Sequence, residues 1–126
     1  MTEKPPDGAA LSALESDVMG VLWASDEALD AAEVRARLPR DLTDSTVRTI
    51  LRRVESKGFA QHALEGRRYL YSALRSGPAA AARMVGSALR RYCRGSLEEL
   101  LVGMVEEGVA DADELRAIAA RIAEDS

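Results

Sequence analysis

Residues 43–58 read TDSTVRTILRRVESKG, and the rest of the architecture follows from this segment. Val47, Ile50, Leu51 and Val54 recur at helical spacing, so a helix over 44–57 turns one apolar stripe inward. Thr43 or Asp44 suits the N-cap, and Gly58 after Lys57 suits a left-handed stop behind a final turn bearing a cation. Asp44 is read as a cap turned back onto backbone N–H groups. The opposite face carries Ser45, Thr46, Arg48, Thr49, Arg52 and Arg53. By itself such a face is as consistent with an ordinary solvated helix as with a binding surface, so the neighbouring segments have to decide.

Upstream, Asp30 and Glu33 have the spacing of a capping box, Ala31, Val34 and Leu38 form one stripe, and Pro39 ends a helix of about two turns. Further upstream, Ser12 and Glu15 repeat the box ahead of Leu14, Val18, Val21 and Leu22, which predicts a helix over 13–23 with Trp23 as a core plug. Residues 24–29 break the pattern. Downstream, strand-like runs at 59–64 and 68–73 flank Glu65-Gly66-Arg67, a tight hairpin turn with Gly at the position that needs positive φ. Three helices followed by a hairpin are the order of a winged helix-turn-helix. The third helix is then the reading head, and the hairpin presents Arg67 and Arg68 at the wing tip.

Ser76-Gly77-Pro78 marks a boundary, beyond which the chain is helical again. One helix covers 79–92. Ser96 with Glu99 opens another that runs to Gly108, and Asp111 with Glu114 opens a last one. The organisation expected is a tail over 1–10, a winged-helix domain over 11–75 and a helical region over 76–126. The fold class is mainly α with one small β-hairpin. Three helices of this length bury too little apolar surface to offset chain entropy comfortably, so two copies are expected to pack together. The candidate dimer contacts are Leu89, Tyr92, Leu97, Leu100, Leu101, Met104, Leu115 and Ile118.

The net charge of −4 argues against a nucleic-acid partner until it is divided along the chain. Residues 43–75 carry seven Lys/Arg and three Asp/Glu, a net of +4, between flanks of −5 (1–42) and −3 (76–126). A phosphate backbone responds to charge within a Debye length of about 8–10 Å, so the central third is what it meets. Arg48 has the fork to hold guanine O6 and N7, and Ser45, Thr46 and Thr49 are short enough to let the helix approach base edges. Arg52 and Arg53, a turn later, suit phosphates, as do Arg67 and Arg68 on the wing.

A single cysteine, Cys93, excludes an internal disulfide, and with His62 as the one histidine no zinc set or nucleophile–base pair can be assembled. No enzyme activity, metal or cofactor is expected. No apolar run approaches the roughly 18 residues of a membrane span, and the N-terminus lacks a signal-peptide layout, so a cytoplasmic protein without a membrane partner is expected.

The quoted segments LSALESDVMGVLWAS, STVRTILRRVESKG, EGRRYLY and GSLEELLVGMVEEG resemble the BlaI/MecI family of penicillinase and methicillin-resistance repressors, over about residues 11–123. The resemblance implies a homodimer on a palindromic operator in double-stranded DNA, in that family often built on TACA/TGTA half-sites. It places Ser45, Thr46, Arg48, Thr49 and Arg53 at DNA-facing positions and Arg67 and Arg68 on the wing. It also implies a regulatory protease for some members, which are cut at an Asn-Phe pair. Here that place reads Gly103-Met104, which puts this cleavage in doubt, and the cysteine cluster of copper-responsive relatives is missing from the C-terminal RIAEDS. The reading is a DNA-binding repressor; the alternative is a winged-helix protein-interaction module whose arginines meet an acidic protein patch.

Overall fold

The computed structural model describes residues 10–126; the expected tail over 1–10 lies, apart from Ala10, outside the described residues. Six helices and one antiparallel hairpin follow in the order α1 Ala13–Ala24, α2 Ala31–Arg37, α3 Asp44–Ser56, β1 Ala60–Glu65, β2 Arg68–Ala73, α4 Gly77–Tyr92, α5 Leu97–Glu106 and α6 Ala112–Asp125. The described chain divides into two compact units, 10–87 and 88–126, with the division inside α4.

In the first unit both predicted capping boxes form. Ser12 and Glu15 form a complete capping box on α1, and Asp30 and Glu33 form one on α2, each satisfying two backbone donors. The α3 cap is Thr43, whose hydroxyl accepts from the Thr46 N–H, and Gly58 stops the helix at φ 87°. Asp44 is therefore not the cap: it is the first helical residue and its carboxylate bonds Arg48, 3.1 Å away. The reason is positional, since a residue already in helical conformation cannot reach forward to the N–H groups that the preceding residue satisfies.

Val47, Ile50, Leu51 and Val54 of α3 are buried together with Val18, Met19 and Leu22 of α1, Val34 of α2, and Phe59, Ala60 and Tyr71 of the hairpin region. Leu29 joins them. Residues 24–29, read from sequence as a break, end in a one-residue third strand, in which Leu29 and Tyr71 exchange backbone hydrogen bonds of 2.9 and 2.7 Å. This ties the α1–α2 connection to the wing. Trp23 packs partly buried on the same core, and its indole N–H donates to the Arg75 carbonyl at 3.0 Å.

Helix α4 begins two residues before the predicted start, at Gly77, because Ser76 caps it by accepting from the Ala79 N–H. Pro78 is then tolerated, since the first turn needs no N–H. Ala80 and Met84 of α4 pack on the core of the first unit.

In the second unit Ser96 caps α5 through the Glu99 N–H, but only half of the predicted box forms, since the Ser96 N–H donates to the Cys93 carbonyl. Asp111 caps α6. None of residues 88–126 is buried.

One polar group lies in the core of the first unit. Glu15 is 1% exposed. Its carboxylate accepts from Lys57 Nζ at 2.6 Å and from the Ser12 N–H at 2.8 Å, and Arg53 Nε stands 3.8 Å away. Burial alone would raise its pKa; the hydrogen bonds from Lys57 and Ser12 outweigh burial and hold it below its ordinary value of 4.5. A carboxyl lowered in the fold stabilises the fold above its ordinary value and loses that contribution as pH falls through the lowered one. Glu15→Gln, which weakens the charge-assisted hydrogen bonds to this carboxylate, is accordingly expected to cost about 2 kcal/mol at neutral pH, and progressively less as pH is brought below 4.5. Urea unfolding of both proteins across that range measures it; a cost independent of pH would refute the ionic role.

Candidate nucleic-acid interface

The interface is built on a division of labour within α3. With four of its positions given to the core, the remaining face must be solvated. Ser45, Arg48, Thr49, Arg52 and Arg53 are exposed, and Thr46 is half-buried. The Thr49 hydroxyl donates to the Ser45 carbonyl at 3.0 Å, and the Thr46 hydroxyl accepts from Thr43 at 2.8 Å, so both are held close to the helix surface.

The wing stands beside this face. β1 and β2 pair from Ala60↔Ala73 to Glu65↔Arg68, leaving Gly66-Arg67 as a two-residue loop. Gly66 has φ 64° and Arg67 has no positive φ, the pattern of a type II′ turn, which takes glycine at its first central position. The turn is one residue tighter than Glu65-Gly66-Arg67, since Glu65 still pairs. Arg48, Arg52, Arg67, Arg68, Tyr69 and Tyr71 border a groove of about 350 Å³ between α3, the wing and the start of α2. The structure thus brings together residues from both predicted basic segments.

The arginines differ in what holds them. Arg48 is bonded to Asp44, Arg53 lies near Glu15, and Arg68 is held by Asp30 and Glu33. Arg52 and Arg67 make no ion pair among the described residues. The cations are legible in the sequence; these counter-charges are not. Asp30 and Glu33 were legible only as a cap, because their other role depends on a residue 35 or more positions away.

The hairpin is fixed to α3 as well. His62 Nδ1 lies 2.7 Å from both carboxylate oxygens of Glu55, and because a carboxylate only accepts, that nitrogen donates. The imidazole packs edge-on against Tyr69, with ring centroids 4.9 Å apart, and tilted against Tyr71, at 5.4 Å. Burial, with Glu55 nearby, pushes the Tyr71 phenol up and keeps it neutral. His62 thus has a structural place at the base of the wing. Among the described residues no group of His, Cys, Asp and Glu is arranged to hold a metal.

Three helices followed by a hairpin wing, with the exposed face of α3 and the wing bordering one groove, make this unit a winged helix. The chain belongs to the penicillinase repressor family, whose sequence profile matches residues 11–124, in agreement with the BlaI/MecI resemblance. It is therefore a DNA-binding transcriptional repressor rather than an enzyme. No curated protein matches it in sequence. In fold it is similar to the PcaV transcriptional regulator of Streptomyces coelicolor, at TM-score 0.50 and 21% identity, covering 90% of this chain and 73% of that one. It is likewise similar to BpsR of Bordetella bronchiseptica, at TM-score 0.50 and 20% identity, covering 92% and 76%. At these identities the likeness describes the fold. No helix of the described residues is long and apolar enough to cross a membrane.

Proposed function

We propose that the protein acts as a homodimer that represses transcription by occupying a palindromic operator, working in the cytoplasm. The observation that carries the reading is the groove where α3 and the wing meet, which gathers four arginines beside the exposed short side chains of α3. In this reading α3 enters the major groove, with Ser45, Thr46, Arg48 and Thr49 at base edges. Asp44, bonded to Arg48 Nε, leaves the terminal nitrogens of that guanidinium to meet a guanine. Arg52, Arg53 and Arg67 hold phosphates. Arg68 commits its guanidinium to Asp30 and Glu33 and is left out of this set.

The dimer reading is supported by the second unit. Residues 88–126 bury none of their side chains, and Tyr92, Leu97 and Ile118 are 78%, 56% and 44% exposed. Leu89, Leu100, Leu101, Met104 and Leu115 are only half-buried. Apolar helical stripes left this open call for a partner. A second copy meets the need and gives the two-fold symmetry that a palindrome matches. Relief by a regulatory protease would require a bond other than Gly103-Met104, which lies within α5; a membrane metalloprotease gene beside this one would favour such a partner.

Fluorescence anisotropy against the upstream intergenic duplex at about 0.15 M salt is expected to show nanomolar, sequence-selective binding. Weak, sequence-blind binding would favour the protein-interaction module instead. Arg48→Ala is expected to lose about 1–3 kcal/mol of discrimination at one base pair, whereas Arg67→Ala should weaken every sequence alike and lower the salt slope by roughly one. Identical behaviour of the two variants would overturn this assignment of roles.

Light scattering at micromolar concentration should return twice the 13.6 kDa of the chain. Leu97→Asp combined with Ile118→Asp should return the single mass. A wild-type protein that scatters as a monomer would refute the dimer.

A further inference from the structure

Arg68 sits at the wing tip beside Arg67, but the two residues are treated differently by the fold. Arg67 makes no ion pair among the described residues. Arg68 Nε donates to Asp30 Oδ2 at 3.0 Å, and its Nη2 lies 2.9 Å from that same oxygen and 2.9 Å from Glu33 Oε1. Both carboxylates belong to the α2 capping box, in which Asp30 Oδ1 accepts from the Glu33 N–H and Glu33 Oε1 accepts from the Asp30 N–H. The cap therefore presents its remaining acceptor sites in fixed positions, matched to a planar fork. The link also shifts both ends electrostatically. The Glu33 N–H and then Arg68 hold the Asp30 carboxyl below its ordinary value, and Asp30 raises Arg68.

Three residues along β2, the Leu29–Tyr71 bridge joins the strand to the residue just before Asp30 through the backbone. Two attachments on one side of the hairpin fix its direction, where a single one would leave a pivot. On the other side, His62 and Glu55 join β1 to α3.

We propose that Arg68 is a positioning residue rather than a DNA contact: it straps the wing to the first turn of α2 and thereby aims Arg67 at the phosphate backbone. The wing then contributes one phosphate contact, from Arg67. This inference rests on the DNA-binding reading above, so its test includes a measurement that needs no DNA.

The informative variants are Asp30→Asn with Glu33→Gln, made together, and Arg68→Lys. Asn and Gln retain the hydrogen-bonding of the cap while removing both charges, which leaves Arg68 in place and free. Lys keeps the charge of Arg68 but has no fork to span two carboxylates. The strap predicts faster amide exchange in β1 and β2 for both variants without DNA. It further predicts about fivefold weaker binding of the upstream duplex by each, with the thermal midpoint little changed. Tighter binding by the Asp30→Asn/Glu33→Gln protein, with a salt slope steeper by roughly one, would show Arg68 to be a phosphate ligand that the carboxylates hold back. That result overturns the proposal, as does unchanged exchange in the wing, or a lowered midpoint with unchanged binding. Failure of the wild-type protein to bind the duplex would count against the repressor reading alone, and the exchange measurement would still judge the strap.

Discussion

The apolar stripe of α3 is the constraint on which the first unit depends. Val47, Ile50, Leu51 and Val54 are at most 2% exposed, and α1, α2 and β1 all pack on this helix. Burying four such side chains is worth several kcal/mol, so the rotation of α3 about its axis is not negotiable. Once the stripe faces inward, Arg48 and, about one turn later, the adjacent Arg52 and Arg53 must face outward. A basic, solvated face is thus obtained from the same packing that holds the unit together, and no separate device is required to present it.

Electrostatics then refines what packing presents. A surface with seven basic residues in 33 positions would repel itself if left bare. Asp44, Glu15, Asp30 and Glu33 counter it locally, Asp30 as the N-cap and the others in the first turn of a helix, where a carboxylate also meets the positive end of the helix dipole. These acidic groups do two things at once: they satisfy backbone donors or complement a helix end, and they hold particular arginines in place. The result is a graded set of cations. Arg52 and Arg67 are unpaired among the described residues, Arg48 is oriented, and Arg68 is fully engaged.

The two units also differ in self-sufficiency. The first buries thirteen hydrophobic residues in one cluster reaching from α1 to Ala80 of α4. The second buries none of its side chains, so its helices satisfy their caps and backbone while their apolar stripes stay open. Helix propensity and capping can define α5 and α6 individually, but they provide no interior for this unit.

The elements are legible in the amino-acid order alone. Capping pairs three residues apart, apolar residues at helical spacing, Gly58 and Gly66 at turns, and the concentration of positive charge in 43–75 are local signals, each contained within a few residues. They located α1, α2, α3, the hairpin and the last three helices to within two or three residues, and the basic face of α3 with them. Which distant groups meet depends on packing: Glu15 with Lys57 42 residues on, Arg68 with Asp30 38 residues back, and the backbones of Leu29 and Tyr71 as a third strand. The physical reason is that such pairs leave no periodicity behind. A carboxylate at a helix start looks like a cap whether or not a distant arginine also holds it, and only the packing of α2 against the wing brings that arginine within reach.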